Sequence, residues 1–311
     1  MSGVLVTGAA GFAGSHLVEH LAGRHELAGW GRSTPPPELA RLLTWTQLDL
    51  LDRDRVRQAI GALRPEVIYH CAGAPHVGES WRRTTEPLAQ NVLTTHYLFD
   101  AVRRAGVSCR MLITGSGMVY APSDSPLTED DPIGPSNPYA LSKLAQEQLG
   151  WRCWMEDGIE VVLTRAFNHT GPRQRATFSA AGFARQVALV ERGAIEPLIK
   201  VGNLDAQRDF TDVRDVVRAY ALLVECGTPG SVYNVASGVA RPIRAVLDGL
   251  VERSRVPLQM VVDPERLRPS DTPVLVGDAS RLRTATGWTP RIPFERMLDD
   301  LLEYWRAVVR T

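Results

Sequence analysis

Near the start of the chain an apolar run, Gly3-Val4-Leu5-Val6, leads into Thr7-Gly8-Ala9-Ala10-Gly11-Phe12-Ala13-Gly14. The run reads as a buried parallel strand. From Phe12 to Leu21 the apolar residues fall at helical spacing, with Leu17, Val18 and Leu21 facing inward. A glycine turn between a strand and a helix narrows the possible folds sharply. Gly8, Gly11 and Gly14 can take backbone angles closed to other residues and let a ligand approach the main chain. The helix that opens at Phe12 and Ala13 offers free N–H groups and a positive dipole end. A GxxGxxG turn in that setting suits the pyrophosphate of a dinucleotide.

The alternation continues. Strand-like runs recur at Glu26-Leu27-Ala28-Gly29-Trp30, Leu48-Asp49-Leu50, Glu66-Val67-Ile68-Tyr69-His70-Cys71, Met111-Leu112-Ile113-Thr114 and Ile159-Glu160-Val161-Val162-Leu163. Helical patterns separate them at Arg53 to Leu63, Leu88 to Arg104 and Pro138 to Trp154. This order predicts an α/β fold, a doubly wound parallel sheet of Rossmann type. After Asn168 the rhythm breaks into loops, a helix near Phe183 to Arg192 and a Pro-rich tail, which reads as a smaller substrate-binding region.

Bulk properties narrow the partners. The 311 residues are 44% hydrophobic, enough for a large core, and 35 basic residues balance 35 acidic ones. No overall field recommends a nucleic acid or an anionic membrane. Cys71, Cys109, Cys153 and Cys226 lie far apart, without zinc or disulfide spacing, which fits a reducing cytoplasm. No signal peptide is recognisable, and no apolar stretch reaches the roughly 18 residues of a membrane helix.

Ligands in such a sheet lie beyond the carboxyl ends of the strands. Gly8, Asp49-Leu50, Ala72-Gly73, Ser116 and Phe167 all follow predicted strands. After the second strand stands Arg32 where an acid would hold a ribose hydroxyl, so a 2′-phosphate is favoured: NADP(H) over NAD(H). Asp49 reads either as an adenine contact or as a helix cap. In Tyr139-Ala140-Leu141-Ser142-Lys143 a phenol and an ammonium stand one helical turn apart. The ammonium favours the phenolate, which eases proton transfer near neutrality. The Ser116 hydroxyl can hold the same substrate oxygen. His16 and His20 have metal-like spacing but no carboxylates beside them, and no metal is expected.

The glycine turn, Ser116 and Tyr139-to-Lys143 together resemble the extended short-chain dehydrogenase/reductase superfamily. Phe167-Asn168-His169-Thr170-Gly171-Pro172, Val201-Gly202-Asn203-Leu204-Asp205, Arg208-Asp209-Phe210-Thr211-Asp212-Val213 and Arg268-Pro269-Ser270-Asp271 are similar to one branch of it. That branch holds GDP-mannose 4,6-dehydratase and the GDP-4-keto-6-deoxy-mannose reductases, and the similarity is greatest to those forming GDP-D-rhamnose. The resemblance runs through Gly287-Trp288-Thr289-Pro290.

What it implies is specific. Ser116, Tyr139 and Lys143 would be catalytic. Gly8, Gly11, Phe12, Ala13, Gly14, Arg32, Asp49, Leu50, Ala72 and Gly73 would hold the cofactor. Met118, Asn168, Val201, Arg208, Arg268 and Asp271 would face the nucleotide sugar, with His169 structural. Residues 1–167 and 209–240 would form the cofactor domain, and residues 168–208 and 241–311 the interleaved nucleotide-sugar domain. Two long helices would pair with their copies in a four-helix homodimer. The dehydratases of the branch use a Glu two residues after the Ser or Thr. Here that position is Met118, which cannot take a proton from sugar C5. A C4-keto reductase is therefore favoured. An epimerase or a 4,6-dehydratase is the nearest alternative, a non-catalytic nucleotide sensor is one of another class, and the base stays open between GDP and dTDP.

Overall fold

The computed structural model describes residues 3–75, 77–267 and 272–310. Its centre is a seven-stranded sheet. The strands are β1 (Gly3–Thr7), β2 (Glu26–Gly31), β3 (Thr44–Gln47), β4 (Val67–His70), β5 (Arg110–Ser116), β6 (Glu160–Ala166) and β7 (Val232–Val235). They lie in the order β7-β6-β5-β4-β1-β2-β3, every neighbouring pair parallel. The order reverses between β1 and β4, so a crevice opens beyond their carboxyl ends, at Gly8 and Cys71-Ala72.

Alternation within β1 sorts the two faces. Val4 and Val6 point into one apolar layer with Leu17 and Val18 of α1 (Phe12–Leu21) and with Val216 and Tyr220 of a late helix, Val213–Cys226. Leu5 points into the other, with Val56 and Ile60 of α2 (Arg53–Leu63) and Leu98 and Phe99 of α3 (Thr94–Arg104). A third apolar cluster gathers Phe183 from Ser179–Glu191, Leu247 from Ile243–Glu252 and Leu301 from Phe294–Val308. Between the excursions the chain returns to the large sheet through Val213–Cys226 and β7, which pairs with β6.

Two elements differ from expectation. The third strand is Thr44–Gln47, not Leu48-Asp49-Leu50. The β-branched and aromatic residues Thr44, Trp45 and Thr46 carry it, beside β2. Leu48 and Leu50 are buried for another reason, as part of the layer around Leu5. Asp49 lies in the turn that follows and accepts a bond from Leu51 N, while Asp52 caps α2 by accepting from Arg55 N. The helix expected from Leu88 to Arg104 is regular only from Thr94; Leu88–Leu93 is a π-helical turn. Thr94 and Thr95 donate their hydroxyls to the carbonyls of Gln90 and Asn91, at 2.7 and 2.6 Å. Those bonds compete with the backbone ladder.

The helix α4 (Pro138–Asp157) carries the Tyr139–Lys143 pair. Asn137 caps it by accepting from Ala140 N at 2.9 Å, Pro138 occupies its first turn, and Gly158, at φ +67°, ends it.

Candidate active site

The glycine turn closes against β4. A methyl group at Gly8 would stand 2.8 Å from Ala72 Cα, and one at Gly14 only 2.2 Å from Gly8 O. Glycine is obligatory at both places, because backbone meets backbone there. No side chain caps α1 at Gly11, and the first helical bond inside it runs from Ser15 N to Gly11 O. The N–H groups of Phe12, Ala13 and Gly14 therefore stand at an uncapped helix end, a donor set suited to an anionic group such as a pyrophosphate. Arg32 follows β2 and is exposed; Asp49 and Leu50 follow β3, the first half-buried and the second buried.

Across the crevice, Ser116 ends β5 and Tyr139 opens α4. The Ser116 hydroxyl lies near enough to the Tyr139 phenol to act on its acidity. Ser116 Oγ accepts from Met118 N at 3.2 Å, which holds the following turn, Gly117–Val119, against the site. Burial raises the Tyr139 phenol above its ordinary value, and the nearby Ser116 hydroxyl partly opposes this. Lys143 is buried one turn further on, and burial brings its ammonium down to about 8. Near neutral pH the phenol thus keeps its proton and the ammonium its charge, the state a proton donor needs.

The structure adds polar residues that sequence reasoning passed over. Asn91, in the π-helical turn, accepts from Ala74 N at 2.8 Å and donates to Ser142 Oγ at 2.8 Å. Ser142 in turn donates to Tyr139 O at 2.7 Å. Asn91 therefore braces the turn after β4 against the start of α4. Its approach needs Gly73, where a methyl group would lie 2.4 Å from Asn91 Oδ1. Behind it, Thr7, His70, Thr95 and Gln146 form a buried polar row ending at Lys143. The signal was present: Asn91 and Thr95 are polar residues on the inward face of an apolar helix, and Gln146 shares a face with Lys143.

The sugar-side residues are placed less evenly. Met118 is half-buried and packs on the apolar layer around Val6. Asn168 is exposed just after β6, and Val201 is buried at the end of the strand Leu198–Val201. Arg208 is buried, its guanidinium donating to Gln207 O and Thr272 O, both at 2.7 Å. Arg268 and Asp271 lie outside the described residues. His169 stacks on Phe12 with centroids 5.7 Å apart, and its Nδ1 bonds Phe167 O at 3.0 Å. His16 is engaged by Pro172 O at 2.9 Å and by Arg173 Nη2 at 2.7 Å, tying α1 to the loop after β6. Among the described residues no cluster of His, Cys, Asp or Glu could hold a metal ion, and no helix is long and apolar enough to cross a membrane.

Comparison with known proteins fits this geometry. The family model described as GDP-mannose 4,6 dehydratase matches residues 5–301. The chain belongs to the GDP-mannose 4,6 dehydratase family. One relative within reach of that family is GDP-6-deoxy-D-mannose reductase of Pseudomonas aeruginosa, 37% identical over 99% of this chain and 98% of that protein. The solved structure of RMD from Pseudomonas aeruginosa complexed with NADPH matches with a TM-score of 0.87 and 35% identity, over 99% of this chain and 100% of that one. UDP-glucose 4-epimerase of Thermotoga maritima with UDP-glucose matches with a TM-score of 0.90 and 25% identity, over 99% of both chains. The matched proteins thus include a reductase and an epimerase beside the dehydratase family model, and the side chains at the site must separate these activities.

Proposed function

We propose that this member of the GDP-mannose 4,6 dehydratase family is an NADPH-dependent reductase of a nucleotide-linked 4-keto-6-deoxyhexose. It takes GDP-4-keto-6-deoxy-D-mannose to a GDP-6-deoxyhexose, GDP-D-rhamnose. The observation that carries the reading is an intact Ser116, Tyr139 and Lys143 with Met118, whose N–H bonds Ser116 Oγ, at the position two residues after Ser116. Proton donation at an oxygen is provided for, and proton removal from C5 is not. The 37% identity to a GDP-6-deoxy-D-mannose reductase supports GDP over dTDP.

NADPH fits the crevice: the Gly8–Gly14 turn and the α1 N-terminus hold the pyrophosphate, and Arg32 reads the 2′-phosphate. Asp49, Leu50, Ala72 and Gly73 line the remaining length. The cofactor supplies a hydride to sugar C4. Ser116 donates a hydrogen bond to the C4 oxygen and stabilises its developing charge. Tyr139 gives that oxygen its proton. Lys143 holds the nicotinamide ribose and favours the phenolate left behind. Asn168, Arg208 and Arg268 serve the diphosphate, with Met118, Val201 and Asp271 toward the sugar and base. Residues 1–167 and 209–240 form the cofactor domain, and residues 168–208 and 241–311 the nucleotide-sugar domain.

Mixing the protein with NADPH and GDP-4-keto-6-deoxy-D-mannose should consume NADPH mole for mole. Unchanged absorbance would leave an epimerase or a binding protein. In the same assay Arg32→Ala should raise the KM for NADPH by roughly tenfold or more, as loss of one charged hydrogen-bonding group does, and leave NADH little affected. Equal effects on both cofactors would remove Arg32 from phosphate recognition.

The chain also assembles as a homodimer in this reading. Leu88 and Leu93 in the π-helical turn and Leu141, Trp151 and Met155 on α4 are each more than two-fifths exposed, on neighbouring helices. Thr84, Leu88, Pro135, Pro138 and Leu141 line an apolar cavity there of about 380 Å³. Light scattering at micromolar protein should give twice the mass of one chain; a monomer mass contradicts the dimer.

A further inference from the structure

Lys143 carries three N–H donors. Two are engaged inside the protein, by Thr114 O and by Gln146 Oε1, each at 2.8 Å. Gln146 is fully buried on the same face of α4. Its amide nitrogen donates to Thr95 Oγ1 at 2.8 Å. The two ends of that amide are not interchangeable. A flipped amide would set N–H against the ammonium and a carbonyl against a hydroxyl with no proton to offer.

Thr95 has no proton to offer because its hydroxyl donates to Asn91 O at 2.6 Å. His70 Nε2, 2.9 Å from the same Thr95 oxygen, must then be a donor. Burial brings His70 down to about 3, so the ring is neutral, and with its one proton on Nε2 the Nδ1, 2.8 Å from Thr7 Oγ1, is the acceptor. The neutral imidazole thus carries its proton on Nε2. Every bond in the row has a fixed direction, from Thr7 beside the glycine turn to the ammonium.

We propose that Gln146 is the positioning residue of Lys143: a neutral acceptor, locked by Thr95, that aims the ammonium without neutralising it. An amide and a carboxylate of the same shape would differ in one respect that matters. The carboxylate would pair with Lys143 and cancel the positive charge that it presents to the site. The titratable groups that interact with Lys143 are His70 and Cys71 at the end of β4. His70 is neutral, and burial raises the Cys71 thiol to about 12, so neither supplies a charge near neutral pH. With Gln146 uncharged as well, the positive charge of Lys143 acts undiminished. What Lys143 serves rests on the reductase reading; how it is held does not.

The chain contains two lysines, Lys143 and Lys200, and Lys200 is exposed. Isotope-labelled lysine, read at the ε-carbon by NMR across a pH series, therefore gives one signal for the site and one as internal control. Gln146→Glu should raise the Lys143 titration midpoint by about one unit or more, because an opposite charge now touches it. Gln146→Leu should lower the midpoint, and Lys200 should not move in either. Both variants should lose roughly tenfold or more in kcat/KM with NADPH and the keto sugar. Coincident Lys143 titrations in the wild type and both variants overturn the proposal. So does a lower Tm in Gln146→Leu with an unmoved Lys143 signal, which would mark a structural role alone. If the Lys143 signals move as stated but the wild type consumes no NADPH with the keto sugar, the reductase reading fails and the positioning role stands.

Discussion

Tyr139→Phe is expected to lower kcat by roughly 10²–10⁴ while leaving NADPH affinity nearly unchanged, the signature of a lost general acid. The ring stays, so the packing at the start of α4 stays. What is lost is the phenol hydroxyl, the group that gives the C4 oxygen its proton in the proposed reaction. Stopped-flow or steady-state NADPH consumption reads the first quantity, and cofactor titration the second. Turnover at the wild-type rate would remove Tyr139 from the mechanism. A large loss of cofactor affinity instead would mean that the phenol binds NADPH rather than the substrate.

The largest effect on stability should come from Glu147→Ala. Glu147 and Arg165 are both buried and paired through two bonds, Nε to Oε2 at 2.9 Å and Nη2 to Oε1 at 2.7 Å. Arg165 also lies over the Tyr120 ring, 4.7 Å from its centroid, and donates to Glu129 O at 3.2 Å. The pair ties α4, one turn beyond Lys143, to β6. Removing the carboxylate alone leaves a buried guanidinium without its counter-charge, at a cost of about 3–5 kcal/mol in unfolding free energy. Replacing both residues by apolar ones of similar bulk should recover most of that loss. Urea unfolding of the single and double variants measures both. A single-variant loss below about 1 kcal/mol would show that water reaches Arg165 there, contrary to its burial.

Much of this architecture was legible in the residue order, for physical reasons. The β1 turn stands out because its glycines are demanded by backbone contact: Gly8 meets Ala72, and Gly14 meets the Gly8 carbonyl. The limits of α1 and α2 follow from strong local signals, Gly11 before one and Pro65 after the other. β3 was misplaced because Leu48-Asp49-Leu50 imitates a half-buried strand, whereas those two leucines only fill the layer beneath Leu5. The π-helical turn was illegible because it depends on two threonine hydroxyls choosing carbonyls on the preceding turn.

The polar row behind Lys143 shows a different limit. Thr7, His70, Thr95 and Gln146 come from β1, β4, α3 and α4, and each looks unremarkable in its own segment. Their directionality emerges only when a single hydroxyl proton on Thr95 has to be assigned among three neighbours. Chemistry carried by one motif, such as Tyr139 with Lys143, can be read along the chain. Chemistry shared among four elements needs the fold.

The most direct measurement of the central claim is product analysis of two incubations with the unmodified protein. GDP-4-keto-6-deoxy-D-mannose with NADPH should give a GDP-6-deoxyhexose and an equal amount of NADP⁺. GDP-mannose with NADP⁺ should give no 4-keto-6-deoxy product, because Met118 has no basic site to take the C5 proton. Efficient dehydration of GDP-mannose, or a keto sugar left untouched beside unconsumed NADPH, would contradict the account.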